Sequence, residues 1–129
     1  MIVSRSFVLI DTSAWVEALR VRGDPKIRAE VHALIEDDRA AWCHMVRLEL
    51  WAGAHTKEIP RLEELRRSIR DLETSESVWN GAYELARLTR AKGFTFPAAD
   101  LLIAACARFH GAEVVHKDRH FEQIKELEA

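Results

Sequence analysis

The chain has 129 residues, of which 48% are hydrophobic and 31% charged, and its formal net charge is −2. Such a length and composition predict a single globular domain over residues 1–129, with core enough to dispense with disulfides or a structural metal. They exclude a membrane-spanning helix, since no apolar run approaches the roughly 20 residues a bilayer requires, and they give no bulk positive charge for nucleic acid, although a local basic rim could still bind phosphates.

Phe7-Val8-Leu9-Ile10 is a short apolar run of strand type that ends at Asp11. Thr12 and Ser13 are good helix caps, and residues 14–22 carry helical spacing through Trp15, Val16 and Leu19. Gly23-Asp24-Pro25 breaks that helix, and Pro25 suits the first turn of another through about Glu36. Ala40-Ala41-Trp42-Cys43 reads as a second strand. A helix over residues 45–55 stops near Gly53, and residues 58–70 form a charged amphipathic helix with Ile59, Leu62 and Leu65 on one side. Residues 72–74 suit an edge strand. Residues 77–92 form a helix closed by Gly93, and Pro97 opens a strongly apolar helix through His110. Residues 113–116 form a last strand and residues 121–127 a terminal helix. Strands alternating with helices imply an α/β fold with a mainly parallel sheet.

Cys43 and Cys106 each lie in an apolar stretch, as buried thiols do. With no secretory signal pattern at the start of the chain, they point to a reducing cytoplasm.

Four carboxylates do not fit a bland core. Asp11 ends the first strand, at the edge where open α/β sheets bind ligands, although an Asp there also serves simply as a cap. Glu49 is flanked at helical spacing by Met45, Val46, Ala52 and Gly53, unlike a solvated surface Glu, unless Arg47 or another cation pairs with it. Asp100 falls in the first turn of a helix that is apolar almost all round. The helix dipole favours a charge there by roughly 0.3–1 kcal/mol, which does not offset burying it unpaired, so a cation belongs nearby. Asp118 follows the last strand, where an Asp is otherwise an ordinary turn former. In a parallel sheet these positions can converge. Each carboxylate pair at about 4 Å would then repel by roughly 4 kcal/mol at an effective dielectric of 20. A divalent ion relieves this better than protonation does, and oxygen ligands suit Mg²⁺ or Mn²⁺.

These segments resemble those of a known family. Leu9-Ile10-Asp11-Thr12-Ser13-Ala14-Trp15 is similar to the opening motif of PIN domains, Glu49-Leu50 with Ala52-Gly53 to the second, Ala99-Asp100-Leu101-Leu102-Ile103-Ala104-Ala105 to the third, and Lys117-Asp118-Arg119-His120-Phe121 to the fourth. All four stand in order, from Val8 to Ile124. The resemblance, which extends to VapC-type toxins, implies a three-layer PIN-like sandwich with four to five strands. It implies a Mg²⁺-dependent endoribonuclease, with Mn²⁺ as a substitute, that is neutralised by a cognate VapB-like antitoxin and commonly homodimeric. It carries Asp11, Glu49, Asp100 and Asp118 over as the acidic metal and catalytic site, with Ser13 orienting Asp11 or a water, and it implies hydrolysis leaving a 5′-phosphate and a 3′-hydroxyl. His116 stands where many relatives have Thr or Ser, and Met45 replaces a frequent small hydroxyl residue.

Arg87, Arg90 and Lys92, and Lys117, Arg119 and His120, are the candidates for drawing RNA to an acidic site, against the default of solvated surface charge. His116 and His120 have a spacing sometimes seen in metal sites, but no Cys or second His pair accompanies them. Trp15, Trp42, Trp51 and Trp79 suit the core or a dimer face. The apolar side of residues 58–70 suits either intramolecular packing or a groove for an antitoxin helix. The alternatives are a receiver-like phosphoacceptor, which would want an acid beside Asp11 and leaves Glu49 unexplained, a non-catalytic PIN-like RNA-binding module, and an aspartyl-nucleophile phosphatase, which would want an acid where Ser13 stands.

Overall fold

The structure, a computed structural model, describes residues 6–128. Strands β1 (Val8–Ile10), β2 (Ala40–Trp42), β3 (Arg70–Asp71) and β4 (Glu113–Val115) alternate with helices α1 (Thr12–Leu19), α2 (Pro25–Glu36), α3 (His44–Gly53), α4 (Ile59–Ser68), α5 (Glu76–Ala91), α6 (Ala98–Phe109) and α7 (His120–Glu128). The strands form one sheet in the order β3-β2-β1-β4, and every pairing is parallel. The chain thus builds outward from β1 through β2 to β3, then crosses to the other side of β1 for β4. The reversal lies between β1 and β4, and the crevice at their carboxyl ends is where a sheet of this kind takes its ligand.

Local chemistry explains most of the boundaries. Asp24 caps α2, accepting from the Lys26 and Ile27 amides at 3.0 and 3.2 Å, with Pro25 at the first helical position. Ser75 caps α5 through the Val78 amide. Gly93, at φ +90°, ends the following turn in the left-handed conformation, which costs a side-chain-bearing residue strain. Gly23 is required for a different reason: a Cβ there would stand 1.8 Å from the Glu17 carbonyl oxygen, so only glycine lets the α1–α2 turn close.

Helices cover the sheet because its strands are apolar on both faces: Val8, Leu9 and Ile10, and Ala40, Ala41 and Trp42, are all buried. Trp15 from α1 and Trp42 from β2 meet at 5.4 Å between ring centroids, and both are fully buried. Ile103 and Cys106 of α6, Val46 of α3 and Val78 of α5 complete the interior. Each large aliphatic side chain taken fully from water contributes about 1.5–3 kcal/mol. Both thiols are fully buried and unbridged, and hydrogen bonding with the Cys43 thiol, together with burial, pushes Cys106 up from its ordinary pKa.

Two expectations change. The edge strand lies at Arg70–Asp71, two residues before the expected 72–74, because Leu72 turns inward and is buried. The first helix begins at Thr12, with Asp11 itself as its cap. On α4, Leu62 and Leu65 join the core, which is the intramolecular packing expected as one of two readings of that segment, while Arg61 and Leu62 also line a surface groove.

Candidate active site

Asp11 is fixed from three directions at the mouth of the crevice. Its amide donates to Val115 O of β4 at 2.9 Å, so it stands where β1 and β4 end together. Its Oδ2 accepts from the Ser13 amide at 3.0 Å and from Ser13 Oγ at 2.6 Å. Ser13 Oγ in turn accepts from the Lys117 amide at 2.9 Å, which ties the segment after β4 to the start of α1. Capping and site-building are therefore one arrangement: Asp11 caps α1 through Oδ2, and its Oδ1 has no hydrogen-bond partner among the described residues.

Asp100 reaches the same crevice from the first turn of α6. The apolar residues after it bury that helix against the core, and Asp100 itself is buried. Its Oδ2 meets His120 Nδ1 at 2.7 Å. The same nitrogen lies 3.1 Å from Asp118 Oδ1, which also accepts the His120 amide at 2.9 Å. Asp100, Asp118 and His120 each offer a ligand atom within 4.8 Å of the others, a spacing that suits a cation. Burial raises the Asp100 pKa above the usual carboxylate value; the His120 hydrogen bond opposes this, and the charges of Asp118 and then Asp11 add to the rise. Asp11, Asp100 and Asp118 thus face one another across the β1–β4 crevice, from three distant parts of the chain.

Glu49 stands one bond further along. It projects from α3, and its Oε1 accepts from Thr12 Oγ1 at 2.8 Å, so the residue next to Asp11 connects it to the crevice. Glu49 also lines a groove of about 820 Å³ between α1, α2, α3 and α4, together with Arg20, Arg28, His32 and Arg61.

No lysine or arginine pairs with these four acids among the described residues. Lys117, beside Asp118 in sequence, turns away: its Nζ lies 3.2 Å from Glu17 and 3.4 Å from Asp24. It is therefore committed, whereas Arg87, Arg90 and Arg119 are exposed. His116 also stands apart, with Nε2 3.1 Å from Glu122 and its ring against Phe121. Sequence reasoning had His120 as a surface cation and missed its bridge between Asp100 and Asp118; its position two residues after an acid was the available signal, since an Asp that accepts the amide two residues on brings that side chain back beside itself.

The donor set fits a hard divalent ion. Asp100 and Asp118 each have one oxygen engaged by His120 and the other, Oδ1 and Oδ2 respectively, without a hydrogen-bond partner among the described residues, and oxygen donors of this kind select Mg²⁺ or Mn²⁺ over softer metals.

Comparison with known proteins agrees with this architecture. The PIN domain model matches residues 8–127. Ribonuclease VapC11 of Mycobacterium tuberculosis is 35% identical over 129 residues, covering 93% of this chain and 92% of that protein. Among solved structures, FitAcB from Neisseria gonorrhoeae superposes with a TM-score of 0.74 at 25% identity, over 93% of this chain and 94% of the other. VapBC2 from Rickettsia felis, bound to a DNA fragment from its promoter, superposes with a TM-score of 0.76 at 21% identity, over 91% and 92%. These likenesses set aside the receiver-like and aspartyl-phosphatase alternatives. With its β1–β4 crevice lined by acids and its match across nearly the whole length, the chain belongs to the PIN-domain family and is a relative of the VapC ribonucleases.

Proposed function

We propose that this protein is an endoribonuclease toxin that hydrolyses RNA phosphodiester bonds with a divalent ion and is neutralised by a cognate VapB-like antitoxin. One observation carries the reading. Three carboxylates gather at the switch-point crevice, and among the described residues each is held by hydrogen bonds through one oxygen only and none is paired with a lysine or arginine. Uncompensated charge at that spacing is costly in a folded protein, and a cation taken up from solution relieves it.

Asp11, Asp100 and Asp118 would hold the ion, and Glu49 would contribute directly or through water. Bound Mg²⁺, or Mn²⁺ in its place, supplies positive charge that polarises the scissile phosphate and lowers the pKa of an attacking water. Ser13 fixes Asp11 Oδ2, and its own oxygen is fixed by the Lys117 amide, so Oδ1 is aimed by the backbone of two strands' ends. His120 holds Asp100 Oδ2 and Asp118 Oδ1 together, which keeps the two carboxylates side by side. Thr12 restrains Glu49 in the same way. No side chain need act as nucleophile. Arg119, exposed beside Asp118, is the cation best placed to draw a phosphate toward the acids.

The antitoxin is read onto the groove that Glu49 lines, whose rim of Arg20, Arg28 and Arg61 suits an acidic or amphipathic peptide. A segment lying there would end beside Glu49 and Thr12, at the edge of the acid crevice. The homodimer belongs to the same proposal and is supported by Trp79 and Tyr83 on α5, 44% and 59% exposed, with ring centroids 6.4 Å apart. Residues 1–129 are read as one PIN-like domain that works in the cytoplasm.

The test is cleavage of total RNA by the purified protein in Mg²⁺, in EDTA, and with the Asp100→Asn variant. Cleavage only by wild type with the ion supports the proposal; cleavage unchanged by EDTA or by Asp100→Asn would overturn it. Growth arrest on expression, relieved by coexpressing the product of the neighbouring small reading frame, tests the toxin part separately.

A further inference from the structure

A line of aromatic rings runs from solvent to the acid crevice, and the proposed chemistry uses its last ring, His120, but neither phenyl ring before it. Phe94 is 43% exposed. Its ring stacks on Phe96, with centroids 6.1 Å apart and planes 6° from parallel. Phe96 is buried with Leu85, Leu101 and Ile124, and it meets the His120 ring edge-on at 5.7 Å. His120 is the side chain that bridges Asp100 and Asp118.

The chain holds Phe94 firmly. The Phe94 amide donates to Thr89 O at 2.9 Å, and Gly93, in the left-handed conformation, swings the backbone back over the end of α5 to allow it. One ring face is fixed on Phe96, and a phenyl ring has only two torsions to settle, so little freedom is lost when a flat group covers it. A single exposed aromatic is unremarkable on a protein surface. One that is stacked on a buried ring in contact with the site's histidine lies on the line of approach to that site.

We infer that Phe94 is a stacking platform for an unpaired nucleobase of the RNA substrate, seating the strand so that the phosphate a few nucleotides away reaches the acid crevice. The inference rests on the nuclease reading. The two ring contacts from Phe94 to His120 span a few nucleotides at about 3.4 Å per stacked base. Any base has a flat face, so the platform recognises an unpaired base rather than a particular one. Arg90, exposed one turn back on α5, supplies a cation beside the strand it would hold. The platform also predicts a preference for single-stranded or looped RNA, because a base inside a duplex offers no free face.

The experiment uses an RNA oligonucleotide spanning a cut site mapped by wild-type digestion of total RNA. Steady-state cleavage in Mg²⁺ is compared for wild type, Phe94→Leu and Phe94→Trp. The Leu variant is expected to raise KM about tenfold, within the range of one lost base–aromatic stack, with kcat close to wild type, and the Trp variant is expected to restore KM. The same oligonucleotide is then made abasic at one position at a time. A single abasic position should raise KM for wild type and have no further effect on Phe94→Leu. A loss of stability would instead lower active enzyme and kcat without an abasic position that matches it. Unchanged KM in Phe94→Leu, or abasic penalties equal in the two proteins, would overturn the platform while leaving the nuclease intact. Absence of any metal-dependent cut by wild type would overturn the nuclease reading itself, and the platform with it.

Discussion

Two clusters of acids lie within a few residues of each other in this fold, and they differ in one respect. At the α1–α2 turn, Glu17 and Asp24 share Lys117, at 3.2 and 3.4 Å. Hydrogen bonds from the Asp24 amide and from Lys117 hold Glu17 below the ordinary carboxylate value, the Ile27 amide does most to lower Asp24, and Glu17 does most to raise Lys117. Arg20 adds a second cation, with Nη1 3.8 Å from Glu17, so two cations face two acids, and the cluster staples the segment after β4 to the turn. In the β1–β4 crevice, His120 is the one basic side chain paired with Asp11, Asp100 or Asp118 among the described residues, and the Asp100 pKa is raised. The chain places the acid Asp118 and the base Lys117 side by side, then sends the lysine to the structural cluster and leaves the crevice short of positive charge. Acids furnished with a lysine serve the fold; on the proposed reading, the acids without one take their cation from solution.

The contrast can be broken most severely at the crevice. Asp11→Asn or Asp118→Asn is expected to lower metal-dependent cleavage by more than about a hundredfold, beyond the 10–100-fold usual for a residue that only supports a metal ligand, read as initial rates on a fixed RNA at saturating Mg²⁺. His120→Ala should fall inside that supporting range, weakening Mg²⁺ or Mn²⁺ binding by about 10–100-fold, measured by titration calorimetry. An effect of His120→Ala equal to the loss of Asp118 would make the imidazole a ligand.

The stability effects are smaller and of opposite sign in the two clusters. A folded carboxyl with a raised pKa binds its proton more tightly than the unfolded chain does. The Asp100 contribution is therefore fully present below its ordinary value of 3.8 and is lost as pH rises through the raised folded value. In EDTA at neutral pH, Asp100→Asn should consequently melt above wild type while losing activity, and added Mg²⁺ should stabilise wild type and not the variant. Glu17 and Asp24 run the other way: their lowered values give stability above 4.5 and 3.8 that is lost as pH falls. The smallest expected effect is that of Lys117→Met, a slight drop in melting temperature with cleavage close to wild type, because its side chain faces Glu17 and Asp24 while only its amide serves Ser13. A large loss of cleavage in Lys117→Met would put that lysine back among the groups that meet RNA.

The sequence by itself determined the alternation of strands and helices, the parallel sheet and the identity of the acids that stand out. Those signals are local. Period 3.6 against short apolar runs, Pro25 and Gly93 at helix ends, and a carboxylate at Asp100 in an otherwise apolar helix can each be read without knowing what packs where. Only the tertiary structure decided how the polar groups are paired. His120 meets Asp100 across 20 positions, Thr12 meets Glu49 across 37, and the Lys117 amide meets Ser13 across 104. The ring line from Phe94 to His120 and the two-residue shift of the edge strand belong with these. The reason is physical: an apolar pattern specifies which face turns inward whatever lies opposite, whereas a hydrogen bond or ion pair depends on a partner's position to a fraction of an ångström, and that position exists only once the sheet has closed β1 against β4.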